Sequence, residues 1–336
     1  MLKKFFLPVL FSFWLISGIS LAEVEGSLSV EDFRGKKITL PKPPQRIVCL
    51  IESALSGLYM LKKQDLVVGV SRNVYENPTF LYYAHLDDRI KKRAIPAPGN
   101  WDFVNIESVV ALKPDLVIIW AQQLESISLL EEKGIPVFGV FLQSEEDIYR
   151  EIESLGKLTG SEERARELLA FVKEERRKMV EEVSRLPERP RVYFMWAQGK
   201  TETSCGGSTV NDLIELAGGV NICAGIKQEH VVLNLETIIS ANPDVIVMWS
   251  NSRLNPEDLL SDPQWQNIKA VKTRRVYELP EIFNVDLWTL KFIYAAKLMF
   301  SWLHPEAFQQ SGKTLEEERN RIFRFLYDLR ENDKLP

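Results

Sequence analysis

One sixteen-residue pattern occurs twice in this 336-residue chain, and it constrains the fold more than any other feature. The first copy runs from Asn105 to Trp120 and the second from Asn234 to Trp249, with Asn, Glu, Pro, Asp and Trp in the same register. Each copy predicts a short helix that ends before the proline and is followed by a strand. Because both predicted strands are continuous apolar runs, we expect them to lie in parallel sheets that are covered on both faces.

The residues around the repeat predict two α/β lobes. Strand-like runs at 46–50 and 191–196 open the two halves, and a helix-like pattern follows each of them. Strands and helices that alternate in this way form mainly parallel sheets with right-handed crossovers. We therefore predict two Rossmann-like lobes, at 23–160 and 187–311, with a ligand cleft between them.

Residues 161–186, between the two halves, predict one long amphipathic helix. The residues that follow its helical spacing are Ala165, Leu168, Leu169, Val172, Met179, Val180 and Val183. A helix of about 25 residues is about 38 Å long, so we expect a rigid connection that allows little hinge motion. Residues 312–336 predict a final amphipathic helix and a tail.

The N-terminus predicts export. Lys3 and Lys4 precede an uncharged, mostly apolar run that ends in small residues at Ala22, which is the arrangement of a cleavable secretory signal at 1–22. We expect a free periplasmic protein, because no cysteine lies near the cleavage site to carry a lipid anchor. The formal net charge of −5 argues against a nucleic-acid partner.

The chain has three cysteines, which are too few for a disulfide scaffold. Cys49 lies in a run that reads as a buried strand. Cys205 and Cys223 are compatible with a disulfide in an oxidising compartment and equally with two separate thiols. The sequence leaves these two alternatives open.

The segment from Asp32 to Val48, the duplicated motif and the central helix together resemble class III periplasmic solute-binding proteins, the cobalamin and iron-siderophore type. The resemblance covers essentially the whole chain after the signal. It implies a monomer that binds its ligand between two lobes and delivers it to the permease dimer of an ABC importer. It also implies that Glu107 and Glu236, one on each lobe, dock onto permease arginines. The stretch that begins at Ser53 departs from the Thr-Glu pair that many relatives carry there.

In open parallel sheets, ligands bind beyond the carboxyl ends of the strands, so the residues that follow the strands are the candidates. The predicted ligand-binding residues are Ser53, Tyr75, Trp101, Trp120, Trp196, Trp249, Arg253 and Trp288. The family resemblance implies the pocket positions of Trp101, Trp120 and Trp196. It also makes His230 a candidate to complete the coordination of a chelated metal, with a lone surface histidine as the alternative. A bare metal ion is not expected, since the chain has three histidines and no histidine pair.

We therefore predict a carrier for a metal chelate, with a ferric siderophore first and no intrinsic cofactor. The tryptophans favour a corrinoid such as cobalamin as an alternative, and Tyr75, Tyr82 and Tyr83 are possible axial ligands for haem. The basic run at 89–93 is either a solvated face or an attraction for an anionic ferric chelate. No phosphate-binding loop or nucleophile elbow occurs, so no enzyme is predicted. A periplasmic enzyme or a sensory binding protein on the same frame remains the alternative of another class.

Overall fold

The structure is a computed structural model that describes residues 28–76, 78–250, 253–330, 333 and 335–336. The predicted signal at 1–22 lies outside the described residues. The described strands are β1 (Leu28–Glu31), β2 (Lys37–Leu40), β3 (Ile47–Cys49), β4 (Val67–Val70), β5 (Leu116–Trp120), β6 (Val137–Val140), β7 (Arg191–Met195), β8 (Glu202–Thr203), β9 (Val220–Asn221), β10 (Val231–Val232), β11 (Val245–Met248) and β12 (Val276–Glu278). The described α-helices are α1 (Glu52–Met60), α2 (Thr79–Leu86), α3 (Asp88–Lys91), α4 (Ile106–Ala111), α5 (Leu124–Glu132), α6 (Glu145–Thr159), α7 (Glu162–Ser184), α8 (Thr209–Leu216), α9 (Leu235–Ala241), α10 (Pro256–Leu260), α11 (Lys269–Lys272), α12 (Ile282–Val285), α13 (Phe292–Leu303), α14 (Pro305–Gln310) and α15 (Leu315–Tyr327).

Two four-stranded sheets form the centres of the two lobes. The first has the strand order β4–β3–β5–β6 and the second the order β12–β11–β7–β9, and neighbouring strands in both are parallel. The apolar runs that predicted β5 and β11 are almost entirely buried in these sheets. The predicted α/β class with two mainly parallel lobes is therefore confirmed, whereas the lobe boundaries stay a prediction. Within the described ranges, no helix is both long enough and apolar enough to cross a membrane.

The duplicated asparagine and aspartate have the same structural role in both copies of the repeat. Asn105 and Asn234 cap helices α4 and α9, because their side-chain oxygens accept hydrogen bonds from backbone amides three residues later, at 2.9 and 2.7 Å. Asp115 and Asp244 each accept a hydrogen bond of 2.8 Å from a backbone amide at the start of the neighbouring strand, β3 or β7. These contacts explain why the two halves share polar residues outside the strands.

Helix α7 connects the lobes and, with 23 residues, is about 35 Å long. Its apolar face is buried as the spacing predicts as far as Met179, whereas Val180 is exposed. The buried face also contains Glu175, which the apolar pattern did not reveal. The Glu175 carboxylate lies 3.1 Å from the ammonium of Lys297 on α13 and 2.5 Å from the guanidinium of Arg321 on α15. Ion pairs to two later helices therefore hold α7 in addition to apolar packing.

Candidate functional site

Three tryptophans converge at the carboxyl ends of the second sheet, and we call them the indole wall. Trp196 and Trp249 directly follow the neighbouring parallel strands β7 and β11, so the sheet places them side by side, with ring centroids 5.2 Å apart. Trp288 comes from the segment after α12. It stacks parallel to Trp196 at 6.2 Å and lies 5.9 Å from Trp249. Trp196 and Trp249 are largely buried, and Trp288 is half-buried.

His230 lies at the edge of the indole wall. Its ring centroid is 5.4 Å from that of Trp196, and its side chain is exposed. In the described part of the chain, no three His, Cys, Asp or Glu side chains are grouped so that they could hold a metal ion. The imidazole is therefore placed as a single group beside an aromatic surface.

Ser204, which no sequence pattern singled out, fixes the orientation of Trp196. The indole N–H of Trp196 donates a hydrogen bond of 2.9 Å to the Ser204 hydroxyl. That hydroxyl donates in turn to the backbone carbonyl oxygen of Glu229 at 2.5 Å. The indole N–H of Trp196 is therefore bound within the protein and its ring is only 4% exposed, so the half-buried Trp288 is the more accessible member of the wall.

A disulfide joins two loops beside the indole wall. Cys205 and Cys223 are bonded to each other, which decides between the two alternatives that the sequence left open, and Cys49 is a buried free thiol. The loops cross closely at Gly206, where a Cβ would lie 2.1 Å from the carbonyl oxygen of Ala224. Only glycine fits this crossing without a shift of the backbone.

Hydrogen bonds between the same loops reach the residues that shape the wall. The Asn221 side-chain amide donates to the Ser204 carbonyl oxygen at 2.9 Å. The Cys205 amide donates to the Gln228 carbonyl oxygen at 3.1 Å. The disulfide therefore fastens the loop that carries His230 to the loop that holds Trp196 in place.

Trp101 and Trp120 lie on the first lobe. Trp101 is 53% exposed on the loop before α4. Trp120 ends β5, is half-buried and packs edge-on against Phe141, with centroids 5.0 Å apart. A side-chain hydrogen bond holds the loop of Trp101, since the Asn100 side-chain amide donates to the Asn73 side-chain oxygen at 3.2 Å. No ring contact among the described residues joins Trp101 or Trp120 to the indole wall.

Ser53 and Tyr75 use their hydroxyl groups within the protein. The buried Ser53 hydroxyl donates to the Glu151 carboxyl at 3.1 Å, and the Tyr75 hydroxyl donates to the Ile95 carbonyl oxygen at 2.7 Å. Both hydroxyl groups are therefore already engaged by partners within the first lobe, and a ligand-binding role of Ser53 and Tyr75 stays a prediction. Arg253 is exposed after the second sheet.

The segment at 282–291 packs against both lobes. Phe283 stacks on Tyr82 of the first lobe, with ring centroids 4.4 Å apart, and the Asn284 side-chain amide donates to the Tyr82 hydroxyl at 2.7 Å. Tyr83 is fully buried, with its ring edge-on to Phe283. The later residues of the segment supply the third member of the indole wall. Tyr82 and Tyr83, which we considered as haem ligands, are thus packed into the contact between the lobes.

The same segment brings buried charges together. The Lys291 ammonium lies 3.9 Å from the Asp286 carboxylate, and burial raises the pKa of Asp286 and lowers the pKa of Lys291 to about 8. Burial also raises the pKa of Glu52, and that of Glu151 to about 8. Sequence reasoning missed this cluster. An aspartate and a lysine within a mostly apolar run were the signal that could have indicated it.

Glu107 and Glu236 lie exposed in the first turns of α4 and α9. No hydrogen bond or ion pair joins either carboxylate to another residue that the structure describes. The duplicated asparagines and aspartates stabilise the fold, whereas the duplicated glutamates make no such contact. The repeat therefore presents one unpaired carboxylate on each lobe.

The basic run at 89–93 is partly structural. The Arg89 guanidinium pairs with Asp87 at 2.8 Å, and the Arg93 guanidinium lies over the ring of Tyr75, 4.9 Å from its centroid. The two lysines of the run are exposed. The run is thus not a uniform solvated face.

A groove of about 1210 Å³ lies beside α7, and no residue of the indole wall lines it. Its lining includes Glu145, Lys173, Arg176 and Asp212. Arg176 already pairs with Glu145 at 2.8 Å. We give this groove less weight as a ligand site than the indole wall, because the Arg176 guanidinium on its lining is already paired with Glu145.

Known proteins with similar sequences are periplasmic or ligand-binding proteins. Residues 47–282 match the model of a family described as periplasmic binding protein. The chain is 25% identical to the molybdate-binding protein MolA of Haemophilus influenzae over 88% of this chain and 90% of that protein. It is 31% identical to a cobalamin-binding protein of Halobacterium salinarum, over 64% of this chain and 57% of that protein.

Solved structures show the same architecture. MolA bound to molybdate, the cognate binding protein of a Haemophilus influenzae ABC transporter, superposes with a TM-score of 0.76 at 23% identity, over 90% of this chain and 98% of that chain. The nickel–histidine complex of Helicobacter pylori CeuE superposes with a TM-score of 0.74 at 22% identity, over 91% of this chain and 97% of that chain. At these identities the likeness shows the fold.

Proposed function

This chain belongs to the periplasmic binding protein family, and on that premise we propose that it carries a bulky organic metal chelate to an ABC importer. A ferric siderophore is the first candidate for this ligand. The observation that carries the proposal is the indole wall, in which Trp196, Trp249 and Trp288 meet at the carboxyl ends of the second sheet. The exposed Trp101 supplies an aromatic face on the first lobe.

The chemistry of the wall suits the organic shell of a chelate. Indole rings offer broad apolar faces, and the N–H of Trp196 is already bound to Ser204. His230, beside Trp196, is positioned to approach a metal that its chelator leaves incompletely coordinated. A small oxyanion such as molybdate, the ligand named for the Haemophilus relative, instead needs several converging hydrogen-bond donors. We therefore expect an organic chelate to bind and molybdate to serve as the contrasting probe.

A corrinoid is the second candidate. The half-buried ring of Trp288, backed by the parallel ring of Trp196, also suits a large, flat macrocycle. The relative from Halobacterium salinarum is named as a cobalamin-binding protein. Both candidates are organic metal complexes, so the class of ligand that we propose is the same for either.

We expect one organic chelate to quench the tryptophan fluorescence of the secreted protein with tight affinity. The probes are a ferric hydroxamate, a ferric catecholate, cyanocobalamin, haemin and molybdate. Trp288→Leu should weaken binding of the quenching chelate about tenfold, since it removes a stacking face of the wall. Trp302→Leu is the matched control, because Trp302 is also half-buried but stacks on Tyr277 instead. Tight binding of molybdate, with none of the organic chelates bound, would refute the proposal.

We also expect loss of the disulfide to weaken ligand binding. The double variant Cys205→Ser, Cys223→Ser frees the loop of His230 and the support of Trp196, and each side chain that must then be ordered on binding costs about 0.5–1.5 kcal/mol. The affinity for the quenching chelate should fall about five- to tenfold. Dithiothreitol should reproduce this loss in the wild type and have no effect on the double variant. Equal affinities of all these forms would show that the disulfide does not shape the wall.

For delivery, we propose that Glu107 and Glu236 orient the protein on the permease dimer. Both carboxylates are exposed at equivalent positions of the two lobes. Exposed charges of this kind set orientation and association rate more than affinity. We further propose that the protein acts as a monomer in the periplasm after removal of the signal at 1–22, as a carrier rather than an enzyme or a sensor.

A further inference from the structure

The duplication extends beyond the shared asparagines and glutamates to two exposed apolar side chains. Phe103 lies four residues before Glu107, and Val232 lies four residues before Glu236. Phe103 is 56% exposed and Val232 is 67% exposed. In both copies the next residue is a buried aliphatic side chain that is only 7% exposed. The two segments therefore present the same pattern of an exposed apolar residue followed by an exposed carboxylate.

We propose that Phe103 and Val232 are apolar anchors that bind the permease dimer together with Glu107 and Glu236. The partner surface that fits this pattern carries, on each of its two subunits, a cationic side chain next to an apolar recess. This inference rests on the proposed function, because it assigns further residues to the same docking event.

The case for the anchors is their duplication rather than their exposure. Single exposed apolar residues are common on soluble proteins and need no explanation. Here the same kind of side chain recurs at the same distance from a carboxylate that has no partner in the described structure. A partner with two-fold symmetry presents the same surface twice, so a protein that meets both halves needs the same chemistry on each lobe.

The two kinds of residue supply different parts of the binding energy. Exposed carboxylates guide the approach and fix the orientation but add little affinity by themselves. Affinity comes mainly from apolar side chains that are removed from water at the centre of an interface. An apolar anchor beside each carboxylate gives the docking surface both properties.

The test uses the mature protein and its own permease–ATPase complex in nanodiscs. Phe103→Ser and Val232→Ser should each weaken binding to the complex about tenfold, and the double variant more than either. Val220→Ser is the matched control and should change binding less than twofold. Val220 is also an exposed valine, at 41%, but it pairs with Arg191 at the amino end of the second sheet. Quenching by the bound chelate should show unchanged ligand affinity in the two single variants, the double variant and the control.

Two results would overturn the inference. One is a loss of ligand affinity in the Phe103 and Val232 variants, which would make these residues part of the ligand site. The other is unchanged binding to the complex in the double variant while Glu107→Gln and Glu236→Gln weaken it, which would leave the proposed docking intact without apolar anchors. If the glutamate variants instead bind the permease–ATPase complex normally and the anchor variants do not, the role of the apolar anchors is supported and the docking role of the glutamates is refuted.

Discussion

Replacing Glu107 and Glu236 together with arginine is expected to abolish uptake while the protein still binds its ligand. Each reversal places a positive charge against the cationic partner groups that we propose, and like charges held together at an interface cost several kcal/mol. We expect the affinity for the importer to fall about a hundredfold or more. Since neither carboxylate makes a hydrogen bond or ion pair with a described residue, the fold and the indole wall should be unaffected.

The measurement is ATP hydrolysis by the importer in proteoliposomes, as a function of the concentration of the binding protein. The matched control is the double variant Glu162→Arg, Glu306→Arg, which reverses two other exposed glutamates in the first turns of helices, α7 and α14. This control reproduces any loss of favourable helix-dipole interaction without altering the repeat. Normal stimulation by the variant at positions 107 and 236 would rule out docking through these residues.

The strands of both lobes could be predicted because parallel sheets leave a simple pattern in the sequence. A strand that is covered on both faces is apolar at every position, so a strand was predicted at the end of the first copy of the repeat, where the structure has β5, Leu116–Trp120. The duplicated motif showed that the second half of the chain would repeat the first. The periodicity of α7 was equally visible, because its apolar residues recur at helical spacing.

The candidate site was predicted only in part, because its contacts join residues that are distant in the sequence. Trp196 and Trp249 could be named as candidates because each ends a predicted strand, and the parallel pairing of β7 with β11 brings them together. Ser204 carries no such signal, since its role depends on a loop crossing that only the folded chain contains. Ser53 also follows a predicted strand, yet its hydroxyl turns to the buried carboxyl of Glu151.

Buried charge was the feature that sequence patterns failed to reveal. In a helix such as α7, a glutamate at a core position looks the same as one on the exposed face until its partners are known. Glu175 is buried because Lys297 and Arg321 come from α13 and α15, more than a hundred residues later in the chain. Helical periodicity describes a helix by itself and therefore does not include partners of this kind.

Glu175→Gln is expected to destabilise the mature protein by about 3 kcal/mol at pH 7. Burial by itself would raise the pKa of Glu175, but hydrogen bonds from Arg321 and the charge of Lys297 lower this pKa from 4.5 to about 2. A carboxyl pKa held that far below its unfolded value corresponds to about 3 kcal/mol of stability. That contribution is fully present above the unfolded pKa of about 4.5 and is lost as the pH falls through about 2.

The free energy of unfolding, measured in urea from pH 7 down to pH 2, tests this prediction. The wild type and Glu175→Gln should differ most at neutral pH and converge towards pH 2, because protonation removes the same charge from the wild type. Glu174→Gln is the matched control, since Glu174 is the exposed neighbour on the same helix and should change stability little. Equal stability of Glu175→Gln and the wild type at pH 7, or a difference that grows in acid, would mean that this buried carboxylate does not brace α7 against α13 and α15.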